Sequence, residues 1–471
     1  MIKRRLEQIA AMCGGECSPA HADIQIAGVG KDTRQLEKGS LYVPLVGERF
    51  DGHDYAGAAI AQGAAASLWQ RSKEVPADLD GAPLVFVDDT LAALQRLAAA
   101  YRAELPVKVV GITGSNGKTT TKDMVAAVLS KKLRVHKTAG NLNNHIGLPL
   151  TVLQLDETVD AAVLEMGMSG FGEIELLTKI ARPDIAVITN IGDAHLLQLG
   201  SREGIAKAKL EIAAGLRDGG LLLYNGDEPL LREGVPRLSL PPGSRTGTFG
   251  LSERNDWSPS RMTIGATSSA FGVRRTDSWD SESEIVIPVP GQHNVSNALA
   301  AVAVARSFGL TEEETAEGLS KGLTLTGMRI EPTAAYNGAM ILNDAYNANP
   351  TAVRAAIDLV AQLQGFRRKW IVLGDMLELG PEEAKLHREI GEYVTPAKAD
   401  RLVAFGPLSR HTADGARESF GADAGERVKH FDDQGELAGW LKSELAPDDL
   451  VLVKGSRGMR MEQIVQVLEA R

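Results

Sequence analysis

Residues 107–124 read Val-Lys-Val-Val-Gly-Ile-Thr-Gly-Ser-Asn-Gly-Lys-Thr-Thr-Thr-Lys-Asp-Met. A β-branched run comes first, and a turn with Gly114 and Gly117 follows. Lys118 and Thr119 come next, then Met124, Val125, Val128 and Leu129 at helical spacing. This order sets a buried strand, a loop with inward N–H groups and a helix N-terminus around one point. Lys118 adds a cation, and Thr119 a hydroxyl able to bind Mg²⁺. The chemistry that needs these groups together is the holding of a nucleoside triphosphate. Thr113, Gly114, Ser115, Asn116, Gly117, Lys118, Thr119 and Thr120 would surround its phosphates. One position departs from the general phosphate-loop pattern: Ile112 stands where a glycine is usual, five residues before Gly117.

Further residues could serve such a site. Glu165 ends an apolar strand, where a carboxylate can hold Mg²⁺ beside a phosphate loop, or else cap a helix or pair with a cation. His195 lies in Thr-Asn-Ile-Gly-Asp-Ala-His-Leu, just past another strand, and its placement suits either a structural or a catalytic role. On a helix over 203–216, Ile205, Ala208, Ile212 and Leu216 define an apolar stripe, and Lys209 falls within it. Lys207 faces the other way with Glu211. A lone buried ammonium is costly. Spacing leaves three outcomes for Lys209: snorkelling, pairing with a carboxylate, or chemical modification. In Pro-Gly-Gln-His-Asn-Val-Ser-Asn-Ala (290–298), Asn294 reads as a helix N-cap. Asn297 sits one turn in, able to cap or to meet a base edge. Arg329, in Gly-Met-Arg, could reach a transferring phosphate from a hinge.

These residues need a frame. Residues 1–88 read as a small α/β unit, and 91–104 as a strong helix closed by Pro106. Strands at 107–112, 161–165, 184–189 and 220–224 then alternate with helices, the mark of a parallel sheet covered on both faces. Residues 245–285 are polar with weak alternation and read as exposed hairpins. A second alternating series has strands at 340–343, 370–373, 401–405 and 450–453, as in a doubly wound domain. Polar residues sit just past strand ends in both series: Glu165, Asn190, Asp193, His195, Asp344, Asp375 and Lys454. Open parallel sheets bind ligands there, so a cleft between two such domains is expected.

Composition narrows the class. The chain has 471 residues, 51 Lys and Arg against 61 Asp and Glu, and a net charge of −10. No long basic block is present, which argues against a nucleic-acid partner. Cys13 and Cys17 are the two cysteines, too few for a structural zinc site and read as reduced thiols. No apolar run reaches membrane-spanning length, and the N-terminus lacks a hydrophobic signal core. A soluble cytoplasmic protein without membrane insertion is expected.

With these motifs in view, the sequence resembles the Mur ligases, ATP-dependent amide-forming enzymes of peptidoglycan synthesis, over nearly its whole length. Thr-Gly-Ser-Asn-Gly-Lys-Thr-Thr is similar to the family's phosphate loop, and Gly-Gln-His-Asn-Val-Ser-Asn-Ala to its adenine-side helix. A narrower likeness rests on Asp-Thr-Arg (32–34), Gly-Glu-Arg-Phe-Asp-Gly-His-Asp (47–54), Gly-Asn-Leu-Asn-Asn-His-Ile-Gly (140–147) and Asp-Ala-Tyr-Asn-Ala-Asn-Pro (344–350). It points to the members that add D-alanyl-D-alanine to UDP-N-acetylmuramoyl-tripeptide. The Asp-Asn-Pro-Arg clamp of the preceding ligase is absent, in keeping with a dipeptide acceptor. Sister ligases, earlier in the peptide or folate-polyglutamylating, are the alternative, and a non-catalytic nucleotide-dependent binding protein is another.

The resemblance implies three domains: a small N-terminal α/β UDP-binding domain (1–88), a central ATPase with a mainly parallel sheet (89–329) and a C-terminal Rossmann-like domain (330–471). It implies ATP and Mg²⁺, with Lys118, Glu165, His195, Lys209 and Arg329 catalytic. Thr119, Glu165, His195 and Lys209 as a carbamate would serve the metal. Asn297, Arg329 and Asp344 would lie on the nucleotide side. Asp32, Thr33, Arg34, Gly47, Glu48, Arg49, Asn141, Asn143 and Asn144 would meet the UDP substrate. Tyr346, Asn347, Asn349, Asp375 and Lys454 would face the acceptor. A monomer is expected.

Overall fold

A computed structural model of the chain describes residues 1–275 and 284–470. The strand run at 107–112 becomes Lys108–Thr113, an interior strand of a nine-stranded sheet. From one edge its order is Glu284–Ile287, Ser269–Arg275, Trp257–Ile264, Arg245–Phe249, Leu221–Asn225, Ile185–Ile188, Lys108–Thr113, Ala161–Glu165 and Val135–Lys137. Pairing is parallel from Val135–Lys137 to Trp257–Ile264, and antiparallel in the last two ladders. Alternation along each strand splits the core. Val109, Leu164 and Ile188 join one apolar layer, and Val110, Ile112, Val163 and Val187 the other. This two-sided burial explains why the strands read as continuous apolar runs.

The N-terminal part has a five-stranded sheet, ordered Glu16–Cys17, Leu84–Val87, Ala66–Gln70, Leu41–Tyr42 and Val29–Gly30. Its core is not closed off. Helix Thr90–Glu104 begins at Asp89, whose side chain caps Ala92 N at 2.7 Å. It buries Ala93, Leu94, Leu97 and Ala98 in one layer with Leu6, Ile9, Leu148, Val152 and Leu177. The C-terminal sheet is ordered Glu331–Ala334, Met340–Asp344, Leu450–Lys454, Lys369–Gly374, Arg401–Phe405 and Val428–Phe431. It is parallel apart from its first strand. Apolar layers cover both faces. The fold is thus α/β with mostly parallel sheets. Among the described residues no helix is long and apolar enough to cross a membrane.

Three local readings are corrected. The hairpins in 245–285 are not exposed: Phe249, Trp257, Phe271, Val273 and Ile285 are buried against helix Gln292–Ser307. The part of that reading on 276–283 lies outside the described residues. The helix over 203–216 is instead an α-helix, Arg202–Leu210, followed by a 3₁₀ turn, Glu211–Gly215. Asn294 is no N-cap. The helix starts after Gly291, whose φ of 111° suits glycine, and Asn294 Nδ2 donates back to Pro290 O at 2.8 Å.

Candidate active site

The phosphate loop is built by close approach. Gly114 has φ 145°, and a Cβ there would collide with Thr189 Oγ1. Gly117 has φ 79°, with Asn297 Oδ1 2.5 Å from where a Cβ would stand. Only glycine meets both demands. The end of strand Ile185–Ile188 braces the loop. Thr189 Oγ1 donates to Asn116 O at 2.5 Å, and Asn190 Oδ1 accepts from Asn116 N at 2.9 Å. Helix Lys118–Leu129 then starts with no side-chain cap, so its free N–H end is open to an anion. Lys118 Nζ folds back onto Gly114 O and Ser115 O at 2.8 and 3.2 Å.

Glu165 is buried at the end of the neighbouring strand. Its Oε2 accepts from Thr119 Oγ1 and its Oε1 from Asn143 Nδ2, each at 2.8 Å. Lys122, one turn after Lys118, stands with Nζ 3.9 Å from Oε2. Lys209 is buried. Burial, and then the charge of Lys118, hold its ammonium well below the usual lysine range. Among the described residues no carboxylate lies within ion-pair reach of it. His195 is also held below its ordinary value, first by burial and then by Lys209 and Lys118. Basic groups gathered in this way suit a multiply charged anion, whose charge would favour their protonated forms.

The far wall belongs to the linker and the C-terminal part. The Arg329 guanidinium stacks 4.1 Å over the Tyr346 ring. Lys454 Nζ pairs with Asp344 Oδ2 at 2.5 Å and donates to Asn347 O at 2.9 Å. The two walls touch directly: Asn116 and Asn349 exchange side-chain hydrogen bonds at 3.3 and 2.7 Å. Thr351 Oγ1 donates to Asp193 Oδ2 at 2.7 Å.

A cleft of about 820 Å³ gathers Ser115 to Thr120, Asn143, Asn144, Glu165, His195, Asn297, Arg329, Asp344, Tyr346, Asn347 and Lys454. Lys209 stands behind its wall. Asn349 is turned to Asn116 and caps helix Pro350–Gln362. Asp375 accepts from Leu408 N and Ser409 N instead of lining the cleft. Asp32, Thr33, Arg34, Gly47, Glu48 and Arg49 lie in the N-terminal part and do not line it either. There Arg34, through side-chain and backbone hydrogen bonds, brings Asp32 down to about 2. Asn141 also stands outside the lining. Sequence reasoning missed His293, Asn225, Asp227 and Thr351, which line the cleft. Asn225 ends a strand and could have been found by that rule. His293 is pushed low by burial, and nothing local in the sequence marks it.

Three family models match: the Mur ligase middle domain at residues 112–305, the Mur ligase glutamate ligase domain at 328–457, and the Mur ligase family catalytic domain at 25–102. The chain belongs to the Mur ligase family. This Mur ligase is 48% identical over 469 residues to the UDP-N-acetylmuramoyl-tripeptide–D-alanyl-D-alanine ligase of Bacillus subtilis (strain 168), covering 99% of each chain. A MurF crystal structure from Acinetobacter baumannii superposes with a TM-score of 0.88 at 29% identity, over 100% of both chains. The MurF ligase of Thermotoga maritima in complex with ADP gives a TM-score of 0.81 at 29% identity, covering 94% of this chain and 97% of that one.

Proposed function

We infer that the chain is an ATP-dependent ligase joining D-alanyl-D-alanine to UDP-N-acetylmuramoyl-tripeptide, with release of ADP and phosphate, in peptidoglycan precursor synthesis. The observation that carries this reading is one shared cleft. It sets the phosphate loop and Glu165 against Arg329, at the domain boundary, and Asp344 and Lys454 of a second domain, in a chain collinear with the D-alanyl-D-alanine ligase of B. subtilis. The tripeptide carboxylate takes the γ-phosphoryl group of ATP, giving an acyl phosphate and ADP. The dipeptide amine, having lost its proton, attacks the acyl carbon. The C–N bond forms, the C–O bond breaks, and phosphate leaves.

Each wall has a part in this. Lys118 and the first N–H groups of its helix hold the phosphates. Arg329 approaches the transferring group, Asn297 the adenine side, and Asp344 the nucleotide side of the cleft. Tyr346, Asn347 and Lys454, which line the cleft, bring the acceptor side, with Asn349 and Asp375 held just outside the lining. Asp32 to Arg34 and Gly47 to Arg49, with Asn141, Asn143 and Asn144, meet the UDP-sugar. Contact between the walls keeps water from the acyl phosphate. We place the domain boundaries at 88/89 and 329/330, and the enzyme in the cytoplasm as a monomer. Free Cys13 and Cys17 accord with a reducing compartment.

The donor chemistry fits Mg²⁺. A hydroxyl and a carboxylate, Thr119 and Glu165, stand together, and Mg²⁺ is commonly held by one or two carboxylates plus substrate phosphates. Among the described residues no group of three or more His, Cys, Asp or Glu is placed to hold a metal, so phosphate oxygens are needed to complete the shell. Thr119 and Glu165, with His195 and a carbamate on Lys209, would hold the ion. When bound it offsets repulsion between two polyanions. Addition of CO₂ to the neutral Lys209 amine, with release of one proton, would turn a buried base into an oxygen ligand.

A coupled ADP-release assay tests the reading. ADP should form only with UDP-N-acetylmuramoyl-tripeptide and D-alanyl-D-alanine both present. Release with a different amino acid in place of the dipeptide would overturn it.

A further inference from the structure

Helix Lys118–Leu129 carries charges beyond its phosphate-binding end. Lys122 and Asp123 are both buried, two ionisable side chains in adjacent positions. Lys122 Nζ donates to Thr138 O at 3.0 Å and stands 3.8 Å from Asp123 Oδ1 and 3.9 Å from Glu165 Oε2. Thr138 is itself tied to Glu165, whose N–H donates to Thr138 Oγ1 at 3.0 Å. Asp123 Oδ1 also accepts from Lys137 Nζ at 2.6 Å. Its Oδ2 accepts twice from one residue, Thr326 N and Thr326 Oγ1, both at 2.8 Å.

Thr326 lies on the linker that enters the C-terminal domain. Three residues on stands Arg329, flanked by Met328 at φ 61° and Ile330 at φ 53°. A left-handed backbone is rare for non-glycine residues and a true outlier for a β-branched one. The linker is therefore bent tightly just after the point where Asp123 holds it. A buried carboxylate needs partners, and one oxygen of Asp123 takes both of its hydrogen bonds from this stretch of linker while the other pairs with Lys137.

We propose that Asp123 is a positioning residue that fastens the linker to the phosphate-loop helix, so that the state of the nucleotide site sets the position of Arg329. Lys122 completes the device by bridging the Asp123 carboxylate to Glu165. Nothing in the device touches substrate. It passes position from one end of a rigid helix to the linker. The inference rests on the nucleotide reading of the cleft.

Trypsin can report on the linker, because Lys321 and Arg329 bracket Thr326. In the full-length wild-type protein, ADP with Mg²⁺ should slow cleavage at these sites several-fold. In Asp123→Ala, cleavage without nucleotide should be faster than in wild type. ADP affinity by calorimetry should stay within about threefold, and ADP should no longer protect. The kcat should fall about tenfold or more, as expected for misplaced reacting groups, with KM for ATP little changed. Thr326→Val, at a half-buried site, removes one of the two bonds and leaves the helix intact. It should show the same changes in smaller degree, and it decides the matter if Asp123→Ala does not fold. Wild-type cleavage rates, wild-type protection by ADP and kcat within twofold in the folded variants would overturn the proposal. Failure of the wild type to bind ADP would defeat the nucleotide reading instead. Linker cleavage without nucleotide would then still decide whether Asp123 holds the linker.

Discussion

His195 and Glu378 face each other across the domain cleft, each on a left-handed backbone, with φ 62° and 64°. His195 Nδ1 stands 3.1 Å from Glu378 Oε2, close enough for an ion pair but without hydrogen-bond alignment. Leu197 N also donates to Glu378 O, at 3.4 Å. Non-glycine residues in this region cost on the order of 1–3 kcal/mol each and persist only where the surroundings hold them. Two such residues, one from each domain and in contact, mark a place where the site is assembled by the meeting of domains.

Removing the carboxylate tests that. Glu378→Ala and Glu378→Gln should both bind ADP as wild type does, because the phosphate loop is untouched. Their kcat should fall roughly tenfold through misplacement of His195. Steady-state kinetics beside calorimetry reads the split. If both variants turn over within twofold of wild type, the contact has no part in assembling the site.

Lys118→Ala should cut kcat on the order of 10²–10³, the usual loss for one preorganised electrostatic contact. The fold should survive, since among the described residues Lys118 Nζ bonds only to carbonyls of its own loop. Circular dichroism checks the fold, and the ADP-release assay checks the rate. Near-normal turnover would remove Lys118 from phosphate binding.

What the sequence showed and hid follows from the range of the interactions. The strand expected at 161–165 is Ala161–Glu165 and that at 401–405 is Arg401–Phe405, because strands buried on both faces leave unbroken apolar runs. The loop from Gly114 to Lys118 was legible because its demands are local. Edge strands were not. Val135–Lys137 reads Val-His-Lys and is half-buried throughout, so it carries no period. The Asn116–Asn349 pair joins residues 233 apart, and the Asp123–Thr326 pair residues 203 apart. Nothing at either end announces the other. Lys209 sits between these cases: the stripe marked it as buried, and only the fold sets it near Lys118 and Glu165.

Acid should destabilise the protein below about pH 6.5. His136, His195, His293 and His387 are all held under the ordinary value of 6.5, in each case first by burial. Their folded values lie below their unfolded ones, so the unfolded chain binds more protons as pH falls through 6.5. Stability is therefore full above that pH and is lost progressively below it. The slope is at most about 1.4 kcal/mol per pH unit for each histidine. Urea midpoints between pH 5 and 8 should show the decline starting near 6.5. Stability that is flat down to pH 5 would mean that these imidazoles titrate normally in the folded state.

Lys209 should carry a carbamate, and Lys207 should not. Lys209 is buried, and burial with the nearby Lys118 charge shifts it toward the neutral amine, the form that adds CO₂. Lys207, two residues away, is exposed, with its ammonium 5.6 Å over the Phe171 ring. A free ammonium without a carboxylate partner is disfavoured at Lys209, whereas a metal-bound carbamate is not. Labelled ¹³CO₂ should give one carbamate carbon signal in wild type, which Lys209→Ala loses and Lys207→Ala keeps. Lys209→Ala should lose most of its activity, and acetate should restore part of it by supplying a carboxylate in the same space. Lys207→Ala should stay within a few-fold of wild type. Full activity in Lys209→Ala, or a carbamate signal that survives it, would falsify the assignment.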